Sequence, residues 1–355
     1  MMFNFSALAA LFLVLIMVNS GCQKNASAPA SANQNSVELK TTNNWTQVNL
    51  DADASQYNPA HIDPSLVNAW GLAISDEGEV WVSSNGGDVA TVYNGDGQTL
   101  EPAIAIPGGA PTGAIYNPTL SFIVPATGVK AEFIYCTESG TIVAAESGVA
   151  YTVADGSGWG AVYKGLTFAR INGKPYLYAT DFHNGAIDVF DGQFQYMSNI
   201  SFVDPNLPSG YAPFNIRNFD GSLFVTYAKQ IPPENIDDEK GPGHGYVDIY
   251  NTDGSFVQRY VSQGELNSPW GLEKISGQGG GMLIGNFGNG KINMYDMNGN
   301  FIKPLKSGGE PIKIDGLWSI LRPGQNLPAS QQNRLYFTSG PDGEAHGIFG
   351  YLTQN

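Results

Sequence analysis

Cysteine is almost absent from this sequence: its 355 residues include only Cys22 and Cys136. A framework of several disulfide bonds is therefore excluded, and so is a metal site built from pairs of cysteines. Cys136 lies in the apolar run FIYCT at 133–137, which indicates a small buried residue. We expect the fold to be stabilised by packing rather than by covalent cross-links.

Positive charge is also scarce. Charged residues make up 14% of the chain, and 17 lysines and arginines stand against 32 aspartates and glutamates. The formal net charge of −15 argues against a nucleic-acid surface, because phosphate binding needs clustered Lys and Arg. A soluble exported protein can carry such acidity without any specific partner. We therefore predict no nucleic-acid partner.

Helical periodicity and the common catalytic motifs are missing as well. No segment after residue 20 repeats its apolar residues at the 3.6-residue period of an amphipathic helix, so helix should be scarce. The sequence has no Gly-x-Ser-x-Gly elbow and no glycine-rich phosphate loop at a helix start. The run GNFGNG at 285–290 is interpreted as a hairpin turn. The 44 glycines suit an all-β fold with many turns.

The chain has instead an internal repeat, most evident at 268–301, where three short apolar runs alternate with glycine-rich turns. A period of roughly 40 to 50 residues with about four strands per unit is typical of propeller blades. The opening runs are AWGLAI (69–74), PTGAIY (111–116), YKGLTF (163–168), PFNIRN (213–218), PWGLEK (269–274) and DGLWSI (315–320). The second runs are VWVSS (80–84), FIYCT (133–137), YLYAT (176–180), LFVTY (223–227), MLIG (282–285) and LYFTS (335–339). Six units in register predict an all-β fold, a six-bladed β-propeller.

The last unit is one strand short. Residues 315–352 contain three apolar runs, whereas WTQVNL at 45–50 is a spare run ahead of the first unit. We predict that this N-terminal strand closes the last blade, which would leave no long unpaired edge at the seam. Residues 45–355 are then a single propeller domain. Within it, the loop at 229–245 is longer than the ~12 to 15 residues usual in compact domains, and such loops are functional or disordered.

The N-terminus has the features of an export signal. An apolar segment at 7–18 precedes a small-residue pair and Cys22, which resembles the lipobox of bacterial lipoproteins. This pattern predicts a signal peptide at 1–21, a lipidated Cys22 and a flexible tether at 22–44. The protein is then an exported, membrane-anchored bacterial lipoprotein, periplasmic or at the cell surface.

Two features depart from that pattern. Asn19 stands where an aliphatic residue is usual, and the first six residues carry no Lys or Arg. A plain secretory signal is the alternative. A transmembrane anchor is less favoured, because the apolar run is shorter than the ~20 residues needed to span a bilayer.

The repeat resembles a known type. The unit PWGL…MLIGNFGNGKINMYDMNGNF is similar to an NHL-type propeller repeat. Longer strings, among them YKGLTFA, LYATDFHNGAIDVFD and GPDGEAHGIFGYL, are similar to an uncharacterised family of exported bacterial NHL-like β-propeller proteins, over about 45–353. The resemblance implies the fold and export. That family has no established activity, so the resemblance implies no catalytic residue.

In a propeller, the loops before the first strand and between the second and third strands share one face, around the mouth of the central channel. Polar and aromatic residues gather there, a composition typical of small-ligand pockets. The ligand-binding candidates are Asn85, Glu138, Asp181, Phe182, Asn215, Asn286, Phe287, Trp318 and Glu344. The alternative for the tryptophans is packing between blades, because Trp70, Trp270 and Trp318 occupy equivalent first-strand positions.

Three of the four histidines, His183, His244 and His346, fall in loops of this face. Three imidazoles could hold Zn with an open position, with a nearby carboxylate as general base. Some six-bladed NHL-type lyases hold a metal through histidine at such a place, which is an analogy only. The alternative is that these are solvated turn residues. Ca²⁺ held at the mouth by the side-chain oxygens of Asn215, Asp181, Asp315 and Asn286 is a further possibility, although no Asp-x-Asp-x-Asp-Gly loop exists here.

The sequence favours a cell-envelope-anchored binding or scaffold module that acts through its channel-mouth face. Its partner would be a small molecule, a glycan or a protein, and the lipid would join it to a membrane. The alternative is a metal-dependent lyase or hydrolase with a His and carboxylate site on the same face. The sequence does not establish enzymatic activity, a cofactor or a substrate.

Overall fold

The computed structural model describes residues 43–275, 280–324 and 327–354. The proposed signal peptide, Cys22 and nearly all of the tether lie outside the described residues, so these features stay predictions. Within the described ranges, no helix is both long enough and apolar enough to cross a membrane.

The described chain is almost entirely β-structure. Its first strands are β1 (Trp45–Ala52) and β2 (His61–Ile62). Blade 1 comprises β3 (Ala69–Ile74), β4 (Val80–Ser84), β5 (Val89–Tyr93) and β6 (Thr99–Ala105). Blade 2 comprises β7 (Pro111–Tyr116), β8 (Phe133–Thr137), β9 (Thr141–Glu146) and β10 (Val149–Asp155). Blade 3 comprises β11 (Tyr163–Ile171), β12 (Lys174–Asp181) and β13 (Ala186–Asp191).

The second half continues the pattern. Blade 4 comprises β14 (Tyr211–Phe219), β15 (Ser222–Lys229), β16 (Tyr246–Asn251) and β17 (Phe256–Ser262). Blade 5 comprises β18 (Pro269–Ile275), β19 (Gly281–Asn286), β20 (Ile292–Tyr295) and β21 (Phe301–Pro304), and a small hairpin, β22 (Lys306–Ser307) and β23 (Glu310–Pro311), follows it. Blade 6 comprises β24 (Leu317–Leu321), β25 (Leu335–Ser339) and β26 (Ile348–Gln354), together with β1. The helical elements are single turns at Ser55–Tyr57, Ser157–Trp159 and Pro341–Glu344.

The innermost strands form a closed ring. Each of β3, β7, β11, β14, β18 and β24 contacts the next, and β24 contacts β3. Glycine allows the closest approaches: a Cβ on Gly71 would lie 2.2 Å from the Thr112 carbonyl oxygen, and one on Gly113 would lie 2.5 Å from the Leu166 nitrogen. The predicted six-bladed propeller is therefore confirmed.

The seam is also closed as the strand count predicts. Strand β1 pairs antiparallel with β26, from Trp45 opposite Gln354 to Ala52 opposite Ile348. Trp45 is 2% exposed and packs in the core shared by blades 5 and 6. The strand runs two residues beyond the predicted 45–50, and β2 adds a parallel strand outside it that the sequence pattern did not indicate.

Blade 3 departs from the four-strand pattern. Only an isolated bridge between Phe190 and Tyr196 stands where a fourth strand is expected. The chain that follows contains Pro205 and Pro208, and proline cannot donate to a sheet ladder. The long loop between β7 and β8 of blade 2, residues 117–132, covers part of this edge, since the Phe122 N–H donates to the Gly192 carbonyl at 2.9 Å.

Cys136 belongs to the interior of blade 2. It is a free thiol that is fully buried. Burial raises the pKa of this thiol to about 12, and a hydrogen bond with Thr112 offsets the effect only in part. The prediction of a small buried packing residue is therefore confirmed.

Candidate functional site

Strand register brings two rings of residues to the mouth of the channel. The inner ring takes one residue from each innermost strand, the first residue of the register shift between that strand and the second strand: Trp70, Thr112, Lys164, Phe214, Trp270 and Trp318. The outer ring is the equivalent position where each second strand ends: Asn85, Glu138, Phe182, Ala228, Phe287 and Gly340. Six of these twelve residues are aromatic, one from blade 1 and five from blades 3 to 6, and Thr112, Lys164, Asn85 and Glu138 are the polar members.

The aromatic members close the channel. We call Trp70, Phe182, Phe214, Trp270, Phe287 and Trp318 the aromatic plug, and all six are at most 4% exposed. The Trp318 ring stacks on Phe287 with centroids 3.8 Å apart and meets Trp70 edge-on at 3.9 Å. The alternative of packing between blades therefore holds for the three tryptophans, and Phe182 and Phe287 share their buried position.

Polar side chains at the mouth form a continuous chain, here called the mouth network. Lys164 donates to Glu138 Oε1 at 2.5 Å, and Asn85 Nδ2 donates to Glu138 Oε2 at 2.9 Å. Asn68 Nδ2 lies 3.1 Å from Asn85 Oδ1 and 2.8 Å from Glu344 Oε2. Four blades thus contribute to one hydrogen-bonded unit, which contains the predicted residues Asn85, Glu138 and Glu344.

Lys164 is the member that the sequence reasoning missed. Its side chain is 3% exposed, and its Nζ lies 5.1 Å from the centroid of the Trp70 ring. A buried ammonium is stable only with a partner, which Glu138 supplies while remaining 29% exposed. The signal was present in YKGL, where lysine takes the place of the tryptophan in AWGL and PWGL.

Glu344 is held in an unusual backbone conformation. Its φ is 71°, and Asp342 and Gly343 before it are also left-handed. Asn68 has a φ of 48°. Such conformations cost about 1–3 kcal/mol each and gather at functional sites. Two hydrogen-bonded members of the mouth network, Asn68 and Glu344, thus both have left-handed backbones.

The carboxylate of Glu344 accepts a hydrogen bond at only one of its two oxygens among the described residues. Burial raises its pKa, while the hydrogen bond from Asn68 and the charges of Lys240 and Lys164 oppose that rise. Its Oε2 accepts from Asn68, and its Oε1 has no hydrogen-bond partner among the described residues. One carboxylate oxygen at the mouth is therefore left for a donor from outside the protein.

The long loop of blade 4 lies over the plug. Gln230 Nε2 donates to the Phe182 carbonyl at 2.6 Å, and Lys240 Nζ lies 3.9 Å from the centroid of the Phe287 ring. Asp237 reaches to 3.8 Å from Lys164 Nζ. The loop is ordered against the mouth and adds charge of both signs to it.

The three histidines proposed as metal ligands do not come together. Their Nδ1 partners are the Glu234 carbonyl for His183 (2.8 Å), the Glu239 carbonyl for His244 (2.8 Å) and Asp53 Oδ2 for His346 (2.7 Å). Across residues 43–275, 280–324 and 327–354, no three His, Cys, Asp or Glu side chains are grouped so as to hold a metal ion. The physical reason is that each imidazole is turned toward its own neighbouring loop.

The other polar candidates form hydrogen bonds within nearby turns and strands. Asn184 Nδ2 donates to Asp181 Oδ2 at 2.7 Å, and Asn215 Nδ2 donates to the Trp270 carbonyl at 2.7 Å. Asn286 Nδ2 donates to the Glu265 carbonyl at 2.7 Å, and the Asp342 N–H donates to Asp315 Oδ2 at 2.9 Å. Each of these four residues, the candidates for calcium binding, thus has a hydrogen bond to a different segment of the described structure. Asn85, Glu138 and Glu344 are the predicted residues that it brings together in one network.

These features define the class of the protein, a six-bladed β-propeller with a covered mouth. No family model matches the chain. It is 32% identical over 318 residues to uncharacterized protein L690 of Acanthamoeba polyphaga mimivirus, covering 83% of this chain and 82% of that protein. Uncharacterized protein R648 of the same virus is also 32% identical, with 77% of its length covered. The chain belongs to the family of these two proteins, and their viral source does not support the expected bacterial origin.

Solved structures agree on the fold. Virginiamycin B lyase from Staphylococcus aureus superposes with a TM-score of 0.51 at 16% identity, covering 88% of this chain and 99% of the lyase. A streptogramin B lyase superposes with a TM-score of 0.52 at 12% identity, covering 88% of this chain and 97% of that one. At such low identity the likeness shows the fold alone.

Proposed function

We propose that this protein is a binding module whose ligand docks at the channel mouth against Glu344 and Glu138. The observation that carries the proposal is the unpaired Oε1 of Glu344, on a strained backbone, at the end of a network drawn from four blades. Acceptors outnumber donors there, since the Glu138 carboxylate is 29% exposed and the Asp237 carboxylate 70% exposed, against the single ammonium of Lys240. The ligand class is therefore a small molecule or glycan that presents hydroxyl or amine donors.

Replacing the carboxylate by an amide tests this proposal. Glu344→Gln keeps an acceptor for Asn68 but loses the charge, which should weaken a charge-assisted hydrogen bond by about 1.5–3 kcal/mol, or roughly 10- to 100-fold in Kd. A thermal-shift screen of monosaccharides, disaccharides and polyamines would find the ligand, and titration calorimetry would compare the variants. The matched control is Glu310→Gln, an exposed carboxylate on β23. Equal affinity of Glu344→Gln, or no hit in the screen, would contradict the proposal.

A metal-dependent lyase or hydrolase on the same face is the second candidate. The lyases named above share the fold, and a neighbouring pair of carboxylates suits acid and base roles. Against it, the described residues bring no three metal ligands together. Metal analysis of the purified domain separates the candidates. Stoichiometric metal that is lost on His346→Ala would favour the enzyme over the binding module.

Anchoring through Cys22 belongs to the same proposal and rests on the sequence motif. Cys22→Ser should abolish acylation and release the domain from membranes, because a chain with a net charge of −15 is repelled by anionic lipid. Metabolic labelling with a palmitate analogue, followed by membrane fractionation, measures both effects. Cys136→Ser is the control, since that thiol is buried and its loss should leave labelling unchanged. Equal labelling of Cys22→Ser and the wild type would show that the motif is not a lipidation site.

A further inference from the structure

The central channel contains a cavity beyond the plug, on the side away from the mouth. Its volume is about 290 Å³, and the innermost strands of all six blades line it. Apolar side chains form much of its wall: Leu72, Ala114, Leu166, Leu272 and Ile320. Trp270 belongs both to this lining and to the aromatic plug, so the plug forms the floor of the cavity.

The cavity is positively charged, whereas the protein as a whole is acidic. Among the described residues that line it, Arg217 and Arg322 are the only charged side chains, and no aspartate or glutamate is present. The whole chain has 32 acidic residues against 17 lysines and arginines. A concave surface that carries one sign of charge between low-dielectric walls attracts the opposite sign. The cavity is therefore suited to an anion.

Arg217 is fixed in place by the neighbouring blades. Its Nη1 lies 2.8 Å from the Leu272 carbonyl oxygen and 3.4 Å from that of Ile320, and 3.6 Å from Glu273 Oε2. Among the described residues, its Nε and Nη2 atoms have no acceptor, and the side chain is 27% exposed. The Phe219 ring lies 5.1 Å from the guanidinium carbon, so the Nε and Nη2 edge is the part of this cavity-lining side chain that can bind a ligand.

Arg322 lacks a partner that its burial requires. Its Nε is buried and has no hydrogen-bond acceptor among the described residues. Burial lowers the pKa of this guanidinium, and the charge of Glu273 opposes the effect. Glu273 Oε2 lies 3.6 Å from Arg217 Nη1 and accepts from the Arg322 backbone N–H at 3.0 Å, so its single charge acts on both guanidinium groups. A second anion would balance the remaining positive charge.

We infer that this cavity binds a small organic acid with an apolar body, whose carboxylate lies between Arg217 and Arg322. Planar guanidinium groups match the geometry of a carboxylate. The aliphatic strand residues would receive the body of the acid, and a cavity of this volume is at the lower end for ligand sites. The site is distinct from the mouth, and the inference does not depend on the proposed function there.

Octanoate and phenylacetate are the probes, with octylamine and octanol as matched cationic and neutral compounds. We expect the acids to bind in titration calorimetry and to change tryptophan fluorescence, because Trp270 lines the cavity. The amine should not bind, and the alcohol should bind at least tenfold more weakly than octanoate. Inorganic phosphate tests the anion class. Binding of phosphate without the acids, or of neither acid at millimolar concentration, would overturn the inference.

Two variants localise the binding. Arg322→Gln should weaken octanoate binding at least tenfold, whereas the control Arg170→Gln, an exposed arginine that contacts the Gly173 carbonyl, should not change it. Ala114→Phe should fill the cavity and abolish binding of both acids. Circular dichroism would confirm that each variant is folded. Unchanged octanoate affinity in folded Arg322→Gln or Ala114→Phe would overturn the assignment to this cavity.

Discussion

Deleting residues 45–50 should destabilise the whole ring, by several kcal/mol of a total that is typically ~5 to 15 kcal/mol. The deletion removes most of β1 and its ladder with β26, and it exposes a strand edge at the seam. It also removes Trp45, whose loss from a core alone costs about 3–5 kcal/mol. Urea denaturation followed by circular dichroism would measure the free energy of unfolding.

The matched control is deletion of residues 23–42, the segment predicted to be a tether, which should cost almost nothing. Trp45→Ala should fall between the two deletions, because it keeps the backbone ladder and loses only the buried ring. An unfolding midpoint for the 45–50 deletion equal to that of the control would mean that the seam strand does not hold the ring closed.

Trp318→Ala should produce the largest effect of a single substitution. The side chain stacks on Phe287, meets Trp70 edge-on, and donates from Nε1 to Asn68 Oδ1 at 3.0 Å. Removal of a buried Trp costs about 3–5 kcal/mol through lost burial and the cavity left behind. It also leaves Asn68 without a donor that orients its amide within the mouth network. Chemical denaturation would give the loss of stability, and near-ultraviolet circular dichroism would report on the remaining aromatic packing.

Trp159→Ala is the control for this substitution, because Trp159 is 47% exposed. Its loss should cost far less. Since Trp318 donates to Asn68 of the mouth network, Trp318→Ala should alter mouth binding even where the domain is folded. A stability loss no larger than that of Trp159→Ala would show that the plug adds little to the fold.

The fold could be predicted because its signals are local and repeated. Each blade can be recognised in the sequence from its apolar runs and turn residues. Counting the strands then assigned β1 to the last blade, where the structure places it. Blade 3 was the exception, because its fourth strand is missing. Whether an outer strand forms depends on its proline content and on which loop of a neighbouring blade packs on the edge. The sequence pattern could not show which loop packs there.

The site could be predicted only in part. Alignment of the repeats placed Asn85, Glu138 and Glu344 on one face, because their loops are equivalent. The same alignment could not say which way the histidines turn, since the contacts of Nδ1 depend on loop conformation. Lys164 and Arg322 were missed because their role arises from burial between blades, which a single sequence does not display.

The seam also bears on how the chain folds as it is synthesised. Strands β1 and β26 are the first and last described strands, so their pairing joins positions separated by nearly the whole domain. Contacts of such high sequence separation form slowly, because the chain must first pay the entropy of closing a long loop. Five blades can assemble from neighbouring hairpins before β26 has been synthesised. The nascent protein therefore carries an open edge on β1 until β26 is available, and unpaired strand edges favour aggregation.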